Sequence, residues 1–137
     1  MEITVVKELE FAASHYLPNH PGKCRNLHGH TYTLQVGVRG KVDEETGMVV
    51  DFGDLKMFVT DTIINHLDHS HLNEVSIYGD DGLPEFPRKT PTAEAMTQWI
   101  VKILNHYLFK KWEGLVALCF VRLYETPTSY AEWKGTF

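Results

Sequence analysis

The chain has 137 residues, 43% of them hydrophobic and 12% aromatic, which suits one domain, 1–137, with a substantial core. Its formal charge of −5 argues against a broad nucleic-acid surface, and no apolar run approaches the length of a membrane span. Two cysteines, Cys24 and Cys119, make no disulfide framework, and Met1 leads into a strand-like run rather than a basic-then-apolar leader, so the expectation is a cytoplasmic protein with no nucleic-acid or membrane partner.

In chain order, residues 2–15 read as a strand in which Val5, Leu9, Phe11, Ala13 and His15 share one parity. A loop punctuated by Pro18, Pro21 and Gly22 follows. Residues 28–42 form a second strand: Tyr32, Leu34, Val36 and Val38 alternate with Thr31, Thr33, Gln35 and Arg39. Closed as an antiparallel hairpin, the two strands return His15 towards His28 and His30. Glu44–Gly47 is a turn, and Met48–Phe52 is short and extended. A helix from about Asp54 to His66 carries Leu55, Phe58, Val59, Thr62, Ile63 and Leu67 at helical spacing, opened by Asp51 or Gly53. Residues 74–90 are rich in Gly, Asp and Pro and read as a loop or lid. A second helix starts in TPTAE, with Thr92 as N-cap or Thr90 with Pro91 at the first helical position, and Met96, Ile100, Ile103, Leu104 and Tyr107 as its stripe. Leu115–Tyr124 is a strand apolar on both parities, expected to be buried on both faces, and Tyr130–Phe137 is a closing strand. The order strand, strand, helix, helix, strand, strand is that of an α+β domain, an antiparallel sheet with both helices on one face.

Four constellations carry chemistry. His28 and His30 lie on one face of the second strand, roughly 6 to 7 Å apart at Cα. With His15 they can offer three imidazoles to a metal and leave one position open, the arrangement of a catalytic zinc. Cys24, four residues before His28, can instead be a fourth ligand that closes the site; the bland alternative is two surface histidines and one core histidine. Cys24 also stands between Lys23 and Arg25, and cations beside a thiol favour the reactive thiolate, so it reads as a base or nucleophile or else as an incidental thiol. Cys119, within LVALCFV, reads as a core residue.

In LDHSHLN, Asp68 and His69 pair a carboxylate with an imidazole. Neighbours on a helix rarely face each other, so they are expected to act through a third group, or Asp68 closes the helix end. A second metal cluster of His66, His69 and His71 is a weaker reading of the same segment. Glu125, on the parity of Val121 and Leu123, ends an apolar face; it is either a buried anchor for a heterocycle with paired N–H donors or a solvated strand end.

FAASHYL with Cys24, HGH and Tyr32, then LDHSHLN, PTAE and YETPTS, resemble in that order the motifs of the 6-pyruvoyltetrahydropterin synthase and 6-carboxytetrahydropterin synthase family. The resemblance spans nearly the whole chain. It implies the tunnelling fold, ββααββ, with subunits joining as trimers whose strands form a barrel, usually two trimers to a homohexamer with sites between subunits. It assigns His15, His28 and His30 to Zn2+, Cys24 to proton abstraction, Asp68 and His69 to a relay with it, and Glu125 to holding the pterin. Thr92, Lys23 and Arg25 are expected to meet substrate, and Lys23, Arg25, Arg88 and Lys89 are candidates for its triphosphate.

The four-residue gap from Cys24 to His28 is similar to that of the carboxytetrahydropterin synthases of queuosine (deazapurine) biosynthesis. A related branch serving folate synthesis uses a glutamate near this cysteine, whereas here the neighbours are Lys23 and Arg25. The implied reaction is a lyase step on 7,8-dihydroneopterin triphosphate. It yields 6-carboxy-5,6,7,8-tetrahydropterin, acetaldehyde and triphosphate. The alternatives are 6-pyruvoyltetrahydropterin formation, which leaves the side-chain carbon bond intact, and a non-catalytic zinc-binding module with Cys24 as fourth ligand.

Overall fold

The computed structural model describes residues 1–77, 79 and 82–135. Strand β1 (Glu2–His15) and strand β2 (His28–Lys41) pair antiparallel over their whole length, from Glu2 opposite Lys41 to His15 opposite His28. This is the hairpin the alternating pattern called for. Residues Leu9, Phe11, Ala13 and His15 of β1 and Tyr32, Leu34, Val36 and Val38 of β2 are buried, while their neighbours of opposite parity, Gly37 apart, are more exposed.

Helix α1 (Phe52–Val59) is opened by Asp51, whose carboxylate accepts from the N–H groups of Gly53 and Asp54 at 2.7 and 3.1 Å. Met48–Phe52 is not an extended strand but a set of bends leading into this cap, and Val50 alone of that run is buried. The helix does not stay α-helical. Thr60–Ile64 widens into a π-helical segment before the last turn, α2 (Asn65–Leu67). The Thr62 hydroxyl donates back to the Phe58 carbonyl at 2.7 Å, and the wider turn lets Ile63 and Ile64 both be buried beside Leu67.

The chain then makes a two-residue strand, β3 (Ser70–His71), parallel to Ala13 and Ser14 of β1. One pairing in an otherwise antiparallel sheet is therefore parallel, a feature no periodicity in SH could announce. The expected lid, 74–90, includes Tyr78, Asp80 and Asp81, which lie outside the described residues; its Phe86 is buried against Trp99 of the following helix at 5.1 Å between ring centres. Helix α3 (Ala93–Trp112) is capped by Thr92, whose hydroxyl accepts from Ala95 N–H at 3.1 Å, so Pro91 stands just before the helix rather than within it. The helix ends where Glu113 turns left-handed at φ 53° and Gly114 follows at φ 79°.

Strand β4 (Val116–Thr126) and strand β5 (Ser129–Lys134) complete a five-stranded sheet of order β3-β1-β2-β4-β5. The end of the expected closing strand, Thr136 and Phe137, lies outside the described residues. β4 is not buried on both faces. A bulge between its pairings to Gly37 and Val38 resets the alternation: Val116 and Leu118 before it, and Val121 and Leu123 after it, point into the core, while Ala117 is exposed. Cys119 sits at this bulge. It is buried, yet its Sγ lies 3.7 Å from Thr4 Oγ1, on the side of the sheet away from the helices. Both helical arms cover the other face, over Phe11, Tyr32, Leu34 and Leu123. The fold is α+β, five strands with two helical arms on one face.

Candidate active site

The site lies where β1 ends and β2 begins. Because His15 is directly opposite His28, and His30 is two residues further along the same face, the strand pairing alone brings three imidazoles together. Their ring centres are 4.6, 4.9 and 5.1 Å apart, and one nitrogen from each lies within 4.8 Å of the others. His15 is fully buried, His28 and His30 partly so.

Two of the three rings, His15 and His28, are held by a backbone group. Proton donation from His15 Nδ1 to the Pro91 carbonyl at 2.9 Å, and from His28 Nδ1 to the Asn26 carbonyl at 2.7 Å, leaves both Nε2 atoms as bare acceptors. Those two Nε2 atoms face each other at 3.0 Å. Burial holds the His15 and His30 imidazoles below the ordinary histidine range, although the nearby Glu125 carboxylate opposes this. Protonation of the His15 and His30 rings is thus disfavoured. His30 Nε2 is buried without a hydrogen-bond partner and stands 3.6 Å from Glu125 Oε1. Converging imidazole lone pairs, an orphaned ring nitrogen and carbonyl-anchored second nitrogens are the donor set of a metal centre, and the three residues could hold an ion.

Among the described residues Cys24 is not a member of this group. It is half-exposed in a short 3-10 turn, Lys23–Arg25, folded back on the end of β1 through Leu17 N–H donating to the Cys24 carbonyl at 2.8 Å. Lys23 and Arg25 are exposed on the same turn. The closed four-ligand arrangement is therefore not formed. Nor do His66, His69 and His71 assemble: His71 Nδ1 lies 3.2 Å from Ser14 Oγ, its ring stacks on Tyr16 at 5.9 Å, and His66 lines a separate small cavity.

Asp68 and His69 do meet directly, contrary to the helical expectation. Asp68 has left the helix with extended backbone, and His69 has φ 58°. That turn brings His69 Nδ1 to 3.0 Å from Asp68 Oδ1. Both are pinned to one residue of β1. The Ala12 N–H donates to Asp68 at 2.9 Å, and the Ala12 carbonyl accepts from His69 N–H at 2.6 Å. The Ala12 N–H first, and His69 second, hold the Asp68 carboxyl below the usual carboxylate range. His69 remains 84% exposed.

Glu125 owes its aim to a second bulge in β4, between the pairings of Tyr124 and Thr126. It is only partly buried and faces the histidines rather than solvent alone. Tyr32, on the same face and fully buried, places its hydroxyl 3.4 Å from His15 Nδ1, and burial pushes its phenol well above the ordinary tyrosine range. The carbonyls of Pro91 and Asn26 and the bulge under Glu125 carried no advance signal beyond the proline next to the helix cap.

The profile of the 6-pyruvoyl tetrahydropterin synthase family matches residues 4–136. The chain belongs to this family. It is 36% identical to the 6-carboxy-5,6,7,8-tetrahydropterin synthase of Haemophilus influenzae, over 95% of this chain and 97% of that one. It is 38% identical to the protein of the same name from Synechocystis, over 94% and 91% of the two chains. The structure of Caenorhabditis elegans 6-pyruvoyl tetrahydropterin synthase superposes with a TM-score of 0.70 at 26% identity, covering 99% of this chain and 97% of that one. The fold is accordingly the tunnelling fold, and the chain is a lyase-type enzyme of the 6-carboxytetrahydropterin synthase kind. A non-catalytic binding module is set aside on the same grounds. Among the described residues no helix is long and apolar enough to cross a membrane.

Proposed function

We propose that the chain converts 7,8-dihydroneopterin triphosphate to 6-carboxy-5,6,7,8-tetrahydropterin, releasing acetaldehyde and triphosphate, as a cytoplasmic step of queuosine biosynthesis. The observation that carries this reading is the similarity over nearly the full length of both chains to two proteins of that name. Zinc, held by His15, His28 and His30, would supply Lewis acidity towards the hydroxyls of the substrate side chain.

The remaining work falls to side chains of the protein. Cys24, outside the metal group but on the loop joining its two strands, takes up a side-chain proton as thiolate. His69, with its Nδ1 set by Asp68 at 3.0 Å, presents its other nitrogen for relaying that proton. Glu125 accepts paired N–H donors from the pterin and so fixes the ring relative to the histidines, the positioning share of the rate. Thr92 Oγ1, although it caps α3, keeps a proton to donate, and Lys23 and Arg25 draw the anionic substrate to the Cys24 turn.

The exposure of His69 and the half-exposure of Cys24 support a site completed by a neighbouring copy in a homotrimer or a dimer of trimers. Incubation with 7,8-dihydroneopterin triphosphate tests the reading. Acetaldehyde and a 6-carboxylated tetrahydropterin are expected in equal amounts. A product that keeps the three-carbon side chain, without acetaldehyde, would make the enzyme a 6-pyruvoyltetrahydropterin synthase instead.

A further inference from the structure

The Pro91 carbonyl holds the Nδ1 proton of His15, and Pro91 ends an irregular strap, 84–91, that runs into the cap of α3. The strap is neither helix nor strand, so no ladder of backbone bonds fixes where it ends. Its own sequence makes it stiff. Three of the chain's six prolines, Pro84, Pro87 and Pro91, fall within it, each with φ locked by its ring. The residue before a proline is pushed towards extended backbone as well, which restricts Leu83, Phe86 and Thr90. Two tight backbone closures take up more of the freedom: Arg88 N–H donates to the Phe86 carbonyl and Thr92 N–H to the Thr90 carbonyl, both at 2.8 Å. Little slack lies between Phe86 and Pro91, so a shift at one is passed to the other.

One side chain grips the far end of the strap. The Trp99 indole N–H donates to the Pro84 carbonyl at 3.2 Å, and the same ring meets Phe86 edge-on at 5.1 Å between centres. Trp99 and Phe86 are each only 3% exposed. Trp99 stands seven residues after Thr92, two turns along α3 and on the same side of the helix. The first two turns of α3 therefore hold the strap at both ends, through Trp99 at Pro84 and Phe86, and through the capping Thr92 next to Pro91. An indole does both jobs at once, since it fills the space over Phe86 and carries a donor; a phenyl ring can do only the first.

We infer that Trp99 is a positioning residue for the metal centre: by gripping the strap at Pro84 and Phe86 it sets where the Pro91 carbonyl meets His15, and so keeps the other His15 nitrogen turned to His28. That other nitrogen, Nε2, stands 3.0 Å from His28 Nε2 only while Nδ1 is engaged by Pro91. The inference rests on the metal role proposed above for the three histidines, but the His15–Pro91 hydrogen bond it concerns exists without an ion and can be followed without one.

Trp99→Phe, which keeps a ring against Phe86 and removes the donor, tests this on the intact protein with two readouts. Zinc affinity, by competition with a chelator, is expected to fall about three- to tenfold, less than the roughly 10- to 100-fold of losing a group bonded to a ligand directly. Exchange of the His15 Nδ1 proton with water, followed by NMR of isotope-labelled histidine in the metal-free protein, is expected to quicken by a similar factor. Phe86→Leu, which leaves α3 untouched, moves both readouts the same way. Leu108→Ala, which opens a space in the buried face near the other end of α3, lowers stability and moves neither. Wild-type zinc affinity and wild-type exchange in Trp99→Phe overturn the inference and leave Thr92 alone to fix Pro91. An equal change in Leu108→Ala overturns it too, because the effect then belongs to overall stability. If the wild type takes up no zinc at these histidines the metal reading falls, and the exchange rates still decide whether Trp99 sets the bond between Pro91 and His15.

Discussion

Asp68 is bonded to Ala12 across the sheet edge and to the imidazole of its own neighbour, and both bonds favour the charged form. A carboxyl whose folded pKa is depressed contributes stability that is present above its unfolded pKa, near 3.8, and is lost as pH falls through the lower folded value. Asp68→Asn is therefore expected to be less stable than wild type in urea at neutral pH, with the gap closing as pH falls from the unfolded value through the lower folded one. A gap that persists unchanged in acid would mean that shape, not charge, holds this corner. The three histidines were legible because a strand has period two and a hairpin returns its ends to each other. The direct Asp68–His69 contact was not, because it depends on a left-handed residue at a helix exit, which a helical pattern cannot forecast.

At the scale of elements, the start of α3 does two things at once. Thr92 caps the helix, and the Pro91 carbonyl one residue earlier fixes the His15 tautomer. Thr92→Ala should cost about 1 kcal/mol of stability from the lost cap. By loosening Pro91 it should also lower zinc affinity, measured by competition with a chelator, while Asp51→Ala, which removes the cap of α1, should lower stability without touching zinc. Equal zinc affinity in both variants would separate the helix start from the metal site. The TPTAE signal made the cap readable, with Thr90 and Thr92 left as rivals. The π-helical widening at Thr60–Ile64 and the two bulges of β4 were not readable. Each inserts one residue into a regular count, and the resulting slip is decided by what the facing element buries: Ile63 with Ile64 in one case, Val121 and Leu123 in the other.

For the whole molecule, the sheet leaves β5 as an open edge and carries Ile3, Val6 and Tyr130 exposed, a surface that a lone subunit would present to water. Sedimentation is expected to find a trimer or a dimer of trimers at micromolar concentration, with activity lost on dilution to monomer; a fully active monomer would contradict the assembly. The element order and the face of the helices followed from alternation and helical spacing, and the short parallel strand at Ser70–His71 did not, since its pairing is fixed only once β1 is in place.

In the proposed mechanism three histidines alone hold the metal, with Cys24 beside them as the base. The direct measurement is zinc content and turnover side by side for Cys24→Ala. The expected result is about one zinc per chain, as in wild type, with turnover of dihydroneopterin triphosphate reduced by about 10² to 10⁴, the scale of losing a positioned acid–base group. Loss of zinc together with turnover would make Cys24 a ligand, and zinc retained with wild-type turnover would remove it from the chemistry.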